Sequence, residues 1–240
     1  MPVMEISLDL SYIRRILSQE VAQARDEIQQ LGVRRAFENS QQRHDQQIAA
    51  APDVDTLACR AGCTWCCHFS VDVRAIEVFG ILDFVERTFT AEEKARVYAE
   101  IRTNSTALSN LDEFERMRRN VKCPFLSQGR CTIYAVRPQT CRNYHATSVV
   151  GCQQSYENPD NLDIDPEFAP LVYQAGGAHV DAITAAMREA GYDTNVYEMN
   201  NAIAAALSEP VALQRFEAKL PPFICLSGDE VPPEFDDLDA

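Results

Sequence analysis

The chain has 240 residues, 46% hydrophobic and 24% charged, which is enough for one sizeable core and rules out wholesale disorder. Thirty-six acids against 22 Lys and Arg leave a net charge of −14, which repels phosphate backbones and argues against a dedicated nucleic-acid binder. No apolar run approaches the roughly 18–20 residues of a membrane helix, and the first residues lack a basic stretch followed by an apolar one, so a cytoplasmic protein is expected.

Charge and cysteine are both unevenly placed. Residues 1–50 hold 6 bases and 7 acids, residues 51–152 hold 13 and 12, and residues 153–240 hold 3 and 17. Eight of the nine cysteines fall in the near-neutral middle, between Cys59 and Cys152. In a reducing compartment such density points to metal binding or redox chemistry before disulfides.

In chain order, Leu10, Ile13, Leu17, Val21, Ala24, Ile28 and Leu31 recur at helical spacing. Gly32 interrupts or kinks this helix, and Val33 to Ala50 continues it as a Gln-rich segment, used for packing or self-association. Residues 1–51 form this N-terminal helical segment, and residues 52–155 the cysteine-cluster region. Cys59–Val71 reads as a loop. Asp72 to Thr88 is apolar nearly all round, as in a buried helix. Thr90-Ala-Glu-Glu93 is a capping box that starts a helix to about Asn104, and Leu111–Arg119 is a further short helix. Between Cys123 and Cys152, Pro124, Gly129, Pro138 and Gly151 predict loops, with strand-like content only at Thr132–Val136. Asp165-Pro166 predicts a helix start, running to Gly191, with Gly176-Gly177 marking a kink or a close crossing. Helices over Thr194–Leu207 and Pro210–Leu220 complete a C-terminal helical segment, 156–227. The acid-rich end, 228–240, reads as a solvated tail. The expected class is mainly α, a helical protein with an irregular cysteine-rich metal-binding loop region in the middle.

The first bank is Cys59-Arg-Ala-Gly-Cys63-Thr-Trp-Cys66-Cys67-His68. Thiolates select zinc, iron–sulfur clusters or cuprous copper over hard cations. Neighbouring side chains diverge, so Cys66 and Cys67 suit two separate sites or a multinuclear centre better than one tetrahedral ion. The second bank is Cys123, Cys131, Cys141 and Cys152, spaced by eight, ten and eleven residues, unlike zinc-finger pairs. Eight thiols suffice for two four-thiolate sites or for one larger assembly.

The motif C-x-x-C-C (Cys63, Cys66, Cys67) followed by C-T-I-Y-x-x-R-P-x-x-C-R-x-Y (Cys131–Tyr144) resembles the YkgJ-like cysteine-cluster family, named for its CxxCxxCC motif. The resemblance spans roughly residues 59–152 and implies chelation of zinc or iron, an iron–sulfur cluster included. By similarity, Cys59, Cys63, Cys66, Cys67, Cys123, Cys131, Cys141 and Cys152 take the places of that family's cysteines. Cys59 precedes Cys63 by four where the family has three, and Cys152 follows the motif at a looser spacing.

Other readings compete. Cys59-x-x-x-Cys63-x-Trp65-Cys66 also fits the radical-SAM signature, whose barrel of alternating strands and helices this sequence lacks. Cys63-Thr-Trp-Cys66 fits a dithiol redox pair but not its βαβ setting. Some flagellin lysine methylases look distantly similar in the CPFL and cysteine segments, which keeps an iron–sulfur modifying enzyme in view. A structural zinc module of an interaction protein is a further alternative, its partner meeting the N-terminal helix or the acidic C-terminal portion. His68 and His145 lie beside the motifs as candidate ligands. Arg137, Arg142 and Tyr144 are candidates to donate hydrogen bonds to the bound centre. Cys225 stands alone and reads as a buried thiol.

Overall fold

The computed structural model describes residues 10–232. The chain begins with helix α1 (Leu10–Leu31) and helix α2 (Val33–Ala49). Gly32 between them has φ +81°, a left-handed conformation that glycine adopts without penalty. There the chain reverses, so α2 packs back along α1 instead of prolonging it. Arg43 on α2 donates to both carboxylate oxygens of Glu20 on α1, at 2.7 and 2.8 Å, and to Glu27 at 2.8 Å. Gln47 reaches the Tyr12 hydroxyl, 35 positions earlier, at 2.7 Å. The hairpin follows from side chains that meet only when the helices run antiparallel, a relation that local periodicity does not carry.

After a short 3-10 turn, Val54–Thr56, and the cysteine loop comes strand β1 (Asp72–Arg74), which leads directly into helix α3 (Ala75–Thr88). The expected Asp72–Thr88 helix therefore begins three residues late. Its buried Glu77 accepts from the Arg74 amide at 2.6 Å and so caps the first turn. Helix α4 (Ala91–Leu108) has the expected Thr90–Glu93 capping box and runs past Asn104; helix α5 is Glu113–Met117. Strands β2 (Leu126–Ser127) and β3 (Arg130–Cys131) pair across the positive-φ residues Gln128 and Gly129. The strand-like stretch expected at Thr132–Val136 is a 3-10 turn, Tyr134–Val136. Helices α6 (Gln139–Asn143) and α7 (Val149–Glu157) follow.

Helix α8 (Pro170–Glu189) starts at Pro170 and not at Pro166, because residues 167 and 168 are tied to the loop at Ala146 and Thr147. Its N-terminal amides, which have no partner within the helix, are satisfied from a distance: Leu171 and Val172 donate to the buried Asp53 carboxylate at 2.8 and 3.0 Å. Strand β4 (Val196–Glu198) pairs antiparallel with β1 and feeds helix α9 (Met199–Ser208), so the Thr194–Leu207 expectation divides into a strand and a helix. Helix α10 (Ala212–Glu217) is shorter than expected.

Two packing regions result. Helix α8 lies across the α1–α2 hairpin, where Ile13 and Ile16 meet Ala175 and Ala178. A Cβ at Gly176 would collide with the Asn143 side chain, so the Gly176-Gly177 pair marks a close approach of α6 to α8. The larger core gathers α3, α4, α9, α10 and the far end of α8 around Ile81, Ile101, Ile183, Met187, Ile203 and Phe216, all fully buried. At the start of the acid-rich end, Asp229 is exposed and exchanges two 2.9 Å backbone hydrogen bonds with Val196, which extends the β1–β4 pair. Residues 233–240 of the solvated-tail expectation lie outside the described residues. Among the described residues no helix is long and apolar enough to cross a membrane.

Candidate metal centre

The first bank is laid out by local turns. The Ala58 amide donates to Ala146 at 2.9 Å, which fixes the approach to Cys59. Gly62, at φ +90°, lets the chain fold back so that the Cys63 amide donates to Arg60 at 3.0 Å. Trp65–His68 is a 3-10 turn that carries the adjacent Cys66 and Cys67.

The second bank is then brought to the first. The Cys123 amide donates to the Cys67 carbonyl at 2.8 Å, and Val121 donates to His68 at 2.9 Å. The β2–β3 hairpin pairs Leu126 with Cys131 and returns the chain toward Cys123. Helix α6, which carries Cys141, is pinned at two points: the Gln139 amide donates to Glu77 at 2.7 Å and the Thr140 hydroxyl to the Asp72 carbonyl at 2.9 Å. Cys152 sits on α7, which packs on the Trp65–His68 turn, with the Tyr156 ring 5.3 Å from Trp65 and 5.0 Å from His68.

Electrostatic proximity divides the thiols into two neighbourhoods, and the division does not follow the banks. Burial pushes Cys141 well up, and thiolates at Cys123, Cys131 and Cys67 would each push it further. Burial likewise raises Cys123 to about 12, with Cys131 and Cys67 adding to it. Cys131, raised by burial, also feels Cys67, while the Arg137 charge pulls it down. Cys67, Cys123, Cys131 and Cys141 are thus mutual neighbours. The other neighbourhood holds Cys152, raised to about 11 by burial with Cys59 and Cys63 adding to it, and Cys59, raised by burial and by Cys63. Cys66 stands between them. Its thiol hydrogen-bonds to Cys67, which pushes Cys66 up and brings Cys67 down to about 7, and it also feels Cys141 and Cys59.

Among the described residues no three His, Cys, Asp or Glu side chains are gathered closely enough to form a finished metal cage. The donors still fit a soft ion: all eight are free thiols, which lose their protons to zinc or iron, and soft thiolates are what such ions select. Tyr144 borders the second neighbourhood. Burial raises its phenol, with Cys152, Cys66 and Cys59 adding to the shift, and its ring packs edge-on against Phe168 at 5.1 Å. Arg142 is turned the other way, to the Ala135 carbonyl at 2.9 Å and to Asp45. Of the candidate histidines, His68 has Nδ1 3.2 Å from the Thr64 carbonyl, and burial lowers His145. Cys225 corrects the sequence expectation. It is exposed, and its thiol donates to Glu209 at 2.8 Å, because α10 ends before the segment that carries it could be covered. Asp45, which holds both Arg137 and Arg142, escaped sequence reasoning because its partners lie more than ninety positions downstream.

No curated protein and no solved structure matches this chain. Residues 58–165, a little under half of the chain, match the family described as CxxCxxCC, putative zinc- or iron-chelating domain. That match takes in all eight of these cysteines.

Proposed function

We propose that this chain binds zinc or iron in two four-thiolate sets that interleave the two banks. Cys67, Cys123, Cys131 and Cys141 form one set, and Cys59, Cys63, Cys66 and Cys152 the other. The observation that carries this reading is the Cys67–Cys123 backbone link, which joins the two banks at the adjacent pair Cys66 and Cys67. Four thiolates satisfy a tetrahedral zinc ion or the four irons of a cubane cluster, and they leave no open position of the kind hydrolytic zinc requires. The reading thus favours a structural, storage or electron-carrying role over hydrolysis. Arg137 serves the first set by offsetting thiolate charge at Cys131, and Tyr144 borders the second.

Anaerobic elemental analysis with sulfide determination tests this directly. The expected result is two ions, or two sulfide-containing clusters, per chain. Cys141→Ser should lose one equivalent and Cys152→Ser the other, whereas a single equivalent abolished by either substitution would favour one merged assembly.

A further inference from the structure

The family match begins at residue 58, yet the turn between Cys131 and Cys141 is held from outside it. Asp45 on α2 accepts from Arg137 Nη2 at 3.2 Å through one oxygen and from Arg142 Nη1 through the other. Each arginine spends another N–H on the same 3-10 turn: Arg137 donates to the Tyr134 carbonyl at 3.0 Å and Arg142 to the Ala135 carbonyl at 2.9 Å. The Arg137 guanidinium also lies 4.0 Å from the centre of the Tyr134 ring. One carboxylate therefore gathers both cations that brace the ten-residue span separating the two cysteines.

Exposure decides how much this matters. Asp45 is 45% exposed, and an ion pair between two exposed groups would count for little. The Arg142 side chain is 2% exposed, however, so without Asp45 a buried guanidinium loses its carboxylate. The Asp45 carboxyl is held well below its usual range. Burial opposes this, but the hydrogen bond from Arg142 and the nearby Arg142 and Arg137 charges outweigh it.

We propose that Asp45 is a positioning residue for the set Cys67, Cys123, Cys131 and Cys141, and that the N-terminal helical hairpin is an integral part of the metal-binding unit. Asp45 touches no ligand atom. It fixes the 134–136 turn through two arginines, and the turn sets where Cys141 stands relative to Cys131. The inference rests on the two-set reading above.

The test is an anaerobic titration of the full chain with zinc(II) and with cobalt(II), competed by a chromophoric chelator, for wild type, Asp45→Asn and Asp45→Glu. Removing a group hydrogen-bonded directly to a metal ligand costs about 10- to 100-fold in affinity, and the lower end, about 10-fold, is expected for a residue that acts through two arginines. Asp45→Asn should weaken one of the two equivalents by that factor and change its cobalt–thiolate absorption, while the other equivalent keeps its affinity and spectrum. Asp45→Glu should restore part of the loss. Two equivalents bound by Asp45→Asn as in wild type, or both weakened alike, would overturn the proposal and leave the two-set reading standing. A wild-type chain that takes up neither zinc, cobalt nor ferrous iron would overturn that reading itself, and the proposal with it. Should Asp45→Asn not fold, hydrogen exchange on the wild type decides the matter. Metal loading should then slow exchange at residues 42–48 together with 134–143, and protection confined to the cysteine loops would count against the coupling.

Discussion

The helical frame and the cysteine region are held together by different physics. In the frame, α3, α4, α8, α9 and α10 bury fully apolar side chains such as Ile81, Ile101 and Phe216, and each contact reinforces its neighbours. Across the cysteine-bearing stretches, 58–71 and 121–148, the secondary structure is short: 3-10 turns of four and three residues, two two-residue strands and a five-residue helix precede α7. Order there comes from single hydrogen bonds to the frame, at Glu77, Asp72 and Asp45, and from Phe125 and Ile133, which are buried in the main core. A frame can stand without ligand, whereas a region with so little regular structure gains most from ions that cross-link it.

The sharpest way to break this contrast is to cut the frame. Phe216 is fully buried between Phe79 and Tyr192, and Phe216→Ala should cost about 3–5 kcal/mol in denaturant unfolding. The same loss is expected with and without metal. Chelation should do the converse: proteolysis should speed up within 59–71 and 121–152 while α3, α4, α8 and α9 stay intact, and equal cleavage in both states would erase the distinction.

The frame also has a charged seam. Glu20, 4% exposed, is held by Arg43 and His179, and Glu20→Ala would leave Arg43 with Glu27 alone. A cost of about 3 kcal/mol is expected, measured by chemical denaturation.

Acid should find the same seam. Burial holds His44 down at about 4, so the unfolded chain takes up a proton that the folded chain refuses. Stability should fall as pH drops from the ordinary imidazole range, about 6.5, toward 4. Burial pushes Glu20 up, but hydrogen bonds from Arg43 and His179 outweigh it and hold it at about 2. Its contribution, complete above the ordinary carboxylate range, should be lost as pH falls from about 4.5 toward 2. Thermal melts of metal-free protein from pH 8 to 3 read both windows, and in His44→Leu the upper one should shrink to the share of His145, which burial also lowers.

The smallest effect belongs to the surface. Arg25 and Glu189 pair with both side chains about half exposed, so Glu189→Gln should shift stability by less than about 1 kcal/mol, an effect that salt erases.

Much of the frame was legible in the sequence because helix signals are local. The α1 stripe from Leu10 to Leu31 and the Thr90 capping box needed no distant information. The β1–β4 pair was not legible: three-residue strands carry no alternation to detect, and their partners are more than a hundred positions apart. The α8 start was misplaced for a similar reason, since its cap, Asp53, comes from another part of the chain. Cys225 misled because its apolar neighbours say nothing about whether a later segment covers them. At the candidate centre the eight cysteines proposed as ligands stand out by their spacing, and the adjacency of Cys66 and Cys67 is what leads to the expectation of two sets. Which cysteines join which set depends on the Cys67–Cys123 link, a contact made only in the fold.

The central claim is that eight thiols share bound metal while the ninth does not. Timed alkylation with mass-spectrometric readout, on metal-loaded and chelator-treated chain, measures this residue by residue. Cys225, exposed and remote from both sets, should label in either state. Cys59, Cys63, Cys66, Cys67, Cys123, Cys131, Cys141 and Cys152 should be protected when loaded and become reactive on chelation. Labelling of either set at the same rate in both states, or recovery of those residues as disulfides, would contradict the account.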